Sequence, residues 1–205
     1  MGPLSLLLHD PAGFVLLAIP LLYSIILHEV AHGLMAERMG DPTARWMGRI
    51  TLDPRRHLDP LGTVMLVAFG FGWAKPVPVN FHNVRDLRKG LIWISAAGPL
   101  TNFALALSCL LLLRHLPPGK LQAVLWVAFR VNVMLAAFNL IPIPPLDGSR
   151  ILMGLSGREL GYALARLEPY GFLIIVAMLA LGLLDPLVRL FEGALLGIIR
   201  ALLGA

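Results

Sequence analysis

Long apolar runs alternate with short basic stretches along the whole 205-residue chain. A helix needs about 20 apolar residues to cross the hydrocarbon of a bilayer. Residues 14–36, 90–113 and 121–141 each meet that length, with Pro20 as a candidate kink in the first. Residues 168–184, EPYGFLIIVAMLALGLL, form a shorter fourth segment. The tail LVRLFEGALLGIIRALLG places Arg189, Glu192 and Arg200 close to one helical face, a pattern suited either to crossing the membrane or to lying in its interface.

Residues 61–73, LGTVMLVAFGFGW, break this rhythm. The segment is too short to cross, carries Gly62, Gly70 and Gly72, and has basic residues on both flanks: Arg55 and Arg56 before, Lys75, Arg85, Arg88 and Lys89 after. With both flanks on one face of the membrane, the chain enters and comes back out. Non-helical backbone at such depth is tolerated only where protein or water satisfies it. The segment therefore reads as a re-entrant loop lining a cavity, with a short buried helix as the alternative. The fold class that follows is an α-helical polytopic membrane protein of about four to six membrane segments.

Composition sharpens the picture. The chain is 58% hydrophobic and 14% charged, with a mean hydropathy of +0.79, against about 25% charged residues in an ordinary soluble domain. The length suits one domain over residues 1–205. The single cysteine, Cys109 in LALSCLLLL, offers neither a disulfide nor a thiolate metal site and reads as a small packing residue. A net charge of +5 is the basic bias of cytoplasmic loops rather than a nucleic-acid surface. Residues 37–60 and 75–89 hold nine of the 17 Lys and Arg residues, and 146–167 add Arg150, Arg158 and Arg166. The positive-inside rule places those segments in the cytoplasm and the N-terminus outside. No Lys or Arg precedes the first apolar run and no small-residue cleavage site follows it, so the run reads as a retained membrane helix.

Into the first span the chain sets HEVAH. His28 and His32 are four residues apart and project from one helical face, one turn apart. Two imidazoles at that spacing can hold one Zn²⁺, and Glu29 beside the first is placed to take a proton from the water that such a site activates. Ionisable groups in this pattern inside a membrane span mark a functional site by default. A zinc site that keeps a position open for water needs a third protein ligand. His57 and Asp59 lie in the charged stretch RRHLDP and read as solvated; His9, His82 and His115 lie near span ends or in polar loops. Asp147 is the better candidate. It closes FNLIPIPPLDG, where Pro142, Pro144 and Pro145 forbid a continuing helix, and a broken helix end on the cytoplasmic side can aim a carboxylate at the first span. Arg130, near the middle of its span, is costly there and needs a partner.

HEVAHGLMAERMGDPTA, FGFGWAKPVPVN, AAGPLTNFALA and NLIPIPPLDG, in this order over roughly residues 20–152, resemble the site-2 protease family of intramembrane zinc metalloproteases. The resemblance implies His28, His32 and Asp147 as zinc ligands, one Zn²⁺ per chain, and Glu29 as catalytic base. It places the family's oxyanion-stabilising asparagine on Asn139. It makes Gly70, Phe71 and Gly72 part of a re-entrant loop near the substrate. It also makes the strand-like RWMGRITLD part of a small membrane-associated β-sheet, whose edge would hold an unwound substrate by strand addition. The implied activity is peptide-bond hydrolysis in membrane-spanning segments of single-pass proteins, as in regulated intramembrane proteolysis, by an enzyme of the cell membrane with its site near the cytoplasmic side. The catalytic core covers about residues 14–152 and further membrane segments about 165–205. No stretch resembles a PDZ or CBS domain and HEVAH comes too early for another full span before it, so the expectation is a minimal member. Formation of a homo-oligomer is left open. The rival readings are a membrane metal transporter, which needs no glutamate beside the first histidine, and a non-catalytic relative that only binds membrane segments.

Overall fold

The computed structural model describes residues 3–69 and 72–204. A short helix, α1 (Pro3–His9), turns at Asp10 into α2 (Pro11–Met39). The Asp10 carboxylate accepts the Gly13 amide at 2.9 Å, satisfying one of the free N–H groups at the start of α2. The helix runs without a break through Pro20 and ends at Gly40, whose φ of 112° is a left-handed value that a side chain resists. After α3 (Thr43–Trp46) and α4 (Pro60–Phe69) come α5 (Leu87–Leu113) and α6 (Lys120–Leu140). Then follow α7 (Asp147–Leu155), α8 (Arg158–Leu167), α9 (Gly171–Ala180) and α10 (Leu184–Leu203).

The core is built on α2, α5 and α6. His28 meets Asn102 and His32 meets Ile94, so α5 runs antiparallel to α2. Asn102 also meets Asn132 of α6. Among the described residues, four stretches are long and apolar enough to cross a membrane: α2, α5, α6 and Arg158–Ala180. The last is less uniform than the others. α8 is amphipathic, and α9 turns back at Gly182, so that Ile175 and Leu184 share one apolar cluster with Ile141 and Leu146.

The tail stands along α6 over its whole length. Leu184 packs near Ile141, Leu195 against Ala136 and Ala137, and Ile199 against Phe129, Val133 and Ala106. At the far end Arg114 donates to the carbonyl of Leu203 at 3.5 Å. The amphipathic pattern of α10 therefore serves packing on α6, and Cys109 lies in the same apolar contact.

The expected β-sheet is absent among the described residues. RWMGRITLD instead holds the end of α3, a left-handed turn at Gly48 (φ 62°) and irregular backbone. The Arg49 amide closes back on the carbonyl of Ala44 at 2.9 Å. Among the described residues the one sheet-like feature is an isolated bridge between Leu58 and Ala74.

That bridge closes the base of a hairpin. The chain leaves as α4, capped by Asp59, whose carboxylate accepts the Gly62 amide at 2.7 Å, and comes back beside it. A Cβ on Gly62 would stand 2.1 Å from the carbonyl oxygen of Trp73, and one on Gly72 2.2 Å from that of Gly62. Both glycines are thus required by the closeness of the two limbs. The outward limb is a helix rather than a loop, and Leu61 and Val64 on it are exposed, so it is not a short buried helix either. Gly70 and Phe71 lie outside the described residues.

Asp41 joins this layer to α2. Its carboxylate, fully buried, accepts the amide and hydroxyl of Thr43, the Asn80 amide at 2.7 Å and the Asn83 side-chain amide at 2.9 Å. Burial pushes its pKa up, but these hydrogen bonds together outweigh it and hold the group below the usual aspartate value. The unfolded chain therefore binds the proton first as the pH falls. Asp41 contributes stability in full above about pH 3.9 and loses it as the pH drops through the native value below that. Asp41→Asn is expected to cost about 1–3 kcal/mol at neutral pH. Thermal unfolding in detergent from pH 3 to 6 should show the gap between wild type and variant closing toward the acid end. A gap that does not narrow would mean that the charge of Asp41 is not what the site holds.

Candidate metal centre

Helical geometry places His28 and His32 on one face of α2, and both are buried, at 6% and 8% exposure. Each ring is held at Nδ1. His32 donates to the carbonyl of Ile94 at 2.7 Å. His28 meets the side-chain oxygen of Asn102 at 2.6 Å, an oxygen left free to accept because the Asn102 amide nitrogen donates to Asn132 and to the carbonyl of Ser24. Asn132 in turn donates to the Ser24 hydroxyl and to the Ala128 carbonyl, both at 2.8 Å. With their hydrogens on Nδ1, both rings present the Nε2 lone pair inward. Ring orientation and tautomer set in this way are what a histidine ligand needs.

The third group arrives from the end of α6. The prolines after Leu140 stop the helix and α7 begins at Asp147. The turn is tight: a Cβ on Gly148 would lie 2.2 Å from the carbonyl oxygen of Leu140. Asp147 Oδ2 comes to 3.2 Å from His28 Nε2 and 3.3 Å from His32 Nε2, and the two Nε2 atoms are 3.0 Å apart. Three lone-pair atoms thus converge, and Asp147 Oδ2 is buried without a hydrogen-bond partner. Such an arrangement calls for a cation at its centre. Tetrahedral zinc with ligands at about 2.0–2.1 Å places them about 3.3 Å from each other, so the donor set and its spacing fit Zn²⁺.

The family model described as "Peptidase family M50" matches residues 114–182. The "Putative zinc metalloprotease YwhC" of Bacillus subtilis is 37% identical over 174 residues, covering 79% of this chain and 78% of that protein. The chain belongs to peptidase family M50. The "Putative zinc metalloprotease Rip2" of Mycobacterium tuberculosis H37Rv is 36% identical over 175 residues, 80% of this chain and 66% of that protein. "Zinc metalloprotease MJ0392" of Methanocaldococcus jannaschii is 26% identical over 157 residues, 76% of this chain and 39% of that protein. No solved structure matches. M50 membership and a ligand group suited to zinc make this chain a zinc-dependent metalloprotease.

In this M50 chain the remaining expected site residues lie in different settings. Glu29 is half-buried beside His28 and takes no part in the ligand group; its Oε2 accepts the Val77 amide at 2.7 Å. Asn139 donates to the carbonyl of Leu135 on its own helix at 3.0 Å. Gly72 packs on the α4 hairpin. His57, expected to be solvated, is 1% exposed and bonds the carbonyl of Thr51 at 2.8 Å.

In the sequence Gly98 reads as a residue that lets helices approach closely, and Asn102 as one that faces the cavity or bonds a neighbouring helix; the structure agrees and adds that both meet the two histidines or their support. A Cβ on Gly98 would lie 2.5 Å from Nε2 of both histidines, so only glycine lets α5 pass this close. The signal was present in AAGPLTN, a glycine and an amide four residues apart and hence on one face of an otherwise apolar span.

Proposed function

We propose that this M50 chain hydrolyses peptide bonds within membrane-spanning segments of single-pass proteins, near the cytoplasmic face of the cell membrane, with its N-terminus outside. The carrying observation is the place of the ligand group. His28 and His32 sit on a 29-residue helix whose most apolar 18-residue stretch has a mean hydropathy of 2.0, so the reacting carbonyl must come to a site walled by membrane helices. The basic segments at the end of α2 and the start of α5 support the cytoplasmic placement.

Zinc held by His28, His32 and Asp147 would supply Lewis acidity, polarising the scissile carbonyl and making water acidic enough to lose a proton near neutral pH. Glu29 takes that proton. Its Oε2 is anchored on the Val77 amide, which leaves the other oxygen to receive the proton and then deliver it to the departing amide nitrogen. Asn139, once turned from the Leu135 carbonyl, would donate to the oxyanion, a contact of the kind worth about 3 kcal/mol. A substrate helix hides its carbonyls in its own hydrogen bonds, so it must unwind locally first. The segment of residues 60–74, in which Gly72 packs beside Gly62, is the element assigned to hold the unwound stretch, with Gly70, Phe71 and Gly72 as the residues proposed to meet it. Regulated intramembrane proteolysis is the setting such a reaction suits.

The test is reconstitution of the purified protein in liposomes with fluorescently tagged single-pass segments, with and without a zinc chelator, and mass-spectrometric mapping of the new termini. Cuts inside the apolar stretch, nearer its cytoplasmic end and abolished by chelation, are expected. A zinc-loaded protein that cleaves soluble peptides but leaves every membrane segment intact would sink the proposal.

A further inference from the structure

Arg49 lies outside the four motifs quoted for the family resemblance, in the segment expected to form a sheet, yet it is only 6% exposed. A guanidinium is almost never buried without a specific partner. Here one nitrogen, Nη2, donates to the carbonyl of Lys75 at 2.7 Å, while Nε is buried without a hydrogen-bond partner. Burial holds the pKa of Arg49 below the usual arginine value, the charge of Glu29 works to raise it and that of Arg56 to lower it. Arg49 and the glutamate of HEVAH therefore lie within electrostatic reach of each other.

What Arg49 grips matters more than its charge. Residues 75–79 read KPVPV, and among Pro76, Val77 and Pro78 only Val77 has an N–H. That single donor is the one that holds Glu29 Oε2 at 2.7 Å. Just before it, the strut is pinned from two sides: Arg49 binds the Lys75 carbonyl, and the Lys75 amide donates to the carbonyl of His57 at 2.8 Å. Val77 itself is buried, and a Cβ on Gly33 of α2 would stand 3.1 Å from Val77 Cγ1. The strut is thus seated on the helix that carries the ligands.

We infer that Arg49 is a positioning residue for the reaction: it fixes the Lys75–Val77 strut so that the Val77 amide holds the Glu29 carboxylate in the orientation proton transfer requires. The inference rests on Glu29 being the base. Arg49 reaches the chemistry only through the strut, so its loss should be felt in turnover and not in metal or substrate binding.

The experiment is a double-mutant cycle of Arg49→Ala with Val77→Pro, which deletes the amide donor itself, each variant purified in detergent and assayed with one cleavable single-pass segment. Each single variant is expected to lose about 10- to 100-fold in kcat, the scale of one hydrogen bond to a charged group. KM should stay within about twofold and zinc content should match wild type, while the fall in Tm from losing a buried side chain should not track the fall in kcat. The double variant should lose no more than the weaker single variant, because both changes release the same carboxylate. Arg49→Lys, which keeps the charge and can still donate to the Lys75 carbonyl, should recover most of the loss; if Arg49→Ala does not fold, Arg49→Met, which keeps the stem and removes every donor, takes its place in the cycle. Multiplying losses, a fall in zinc or Tm that parallels the fall in kcat, or unchanged turnover would overturn the inference. Glu29→Gln run alongside separates the two ways of failing. If it keeps wild-type turnover, the assignment of the base falls; if it is inactive while the Arg49 variants turn over normally, only the inference falls.

Discussion

Gly98→Ala is expected to yield protein that carries almost no zinc and does not cleave. The added methyl carbon would stand 2.5 Å from Nε2 of His28 and of His32, closer than carbon and nitrogen can approach. Neither ring can swing aside cheaply, since His28 is tied to Asn102 and His32 to the Ile94 carbonyl, both on the helix that carries Gly98. If α5 backs away instead, both of those hydrogen bonds break together. Losing one such outer partner of a metal ligand typically costs about 10- to 100-fold in affinity, and here both rings are displaced, so a loss above about 100-fold is expected. The overpacking itself should cost about 1–3 kcal/mol of stability, small enough for the folded protein to be purified. Zinc titration of wild type and G98A in detergent, with circular dichroism to check helix content, reads the effect directly. One tightly held zinc per chain in the variant would show that α5 does not press on the histidines as closely as the structure has it.

Glu29→Gln should give the opposite division, with full zinc and little turnover. The amide is nearly isosteric with the carboxylate, and its oxygen can still accept the Val77 amide that holds Oε2. Glu29 is not in the ligand group, so metal binding should be unchanged. What disappears is the ability to take a proton. General acid–base catalysis contributes about 10²–10⁴-fold, or about 3–5 kcal/mol of barrier, and kcat should fall by that factor with KM little altered. Equal zinc in wild type and variant with equal cleavage rates would remove Glu29 from the mechanism. Zinc lost along with activity would instead make the residue part of the metal site.

How much of this was legible beforehand depended on whether a feature was local. HEVAH needs only helical periodicity to put two imidazoles on one face, and a 29-residue apolar helix forms there. The prolines of NLIPIPPLDG had to end α6, so a carboxylate just past them had to leave the helix axis. The expected sheet failed because RWMGRITLD has the alternation of a strand but no partner strand among the described residues, and the left-handed turn at Gly48 bends it away. His57 looked solvated amid arginines. Its burial depends on the Lys75 segment folding back across it, a contact its own neighbours in the chain do not specify.

The sequence by itself determined the membrane setting, the helical character of the chain and the chemistry of its ligands, because hydropathy, periodicity and donor type are carried by neighbouring residues. Only the tertiary structure decided that α10 stands along α6, that Asn102 rather than solvent sets the His28 ring, that Gly98 is pressed against both histidines, and that a strut pinned by Arg49 holds Glu29. Each of these is a contact between elements far apart in the chain. Its free energy comes from burying polar groups against specific partners, and those partners are set by how the helices pack.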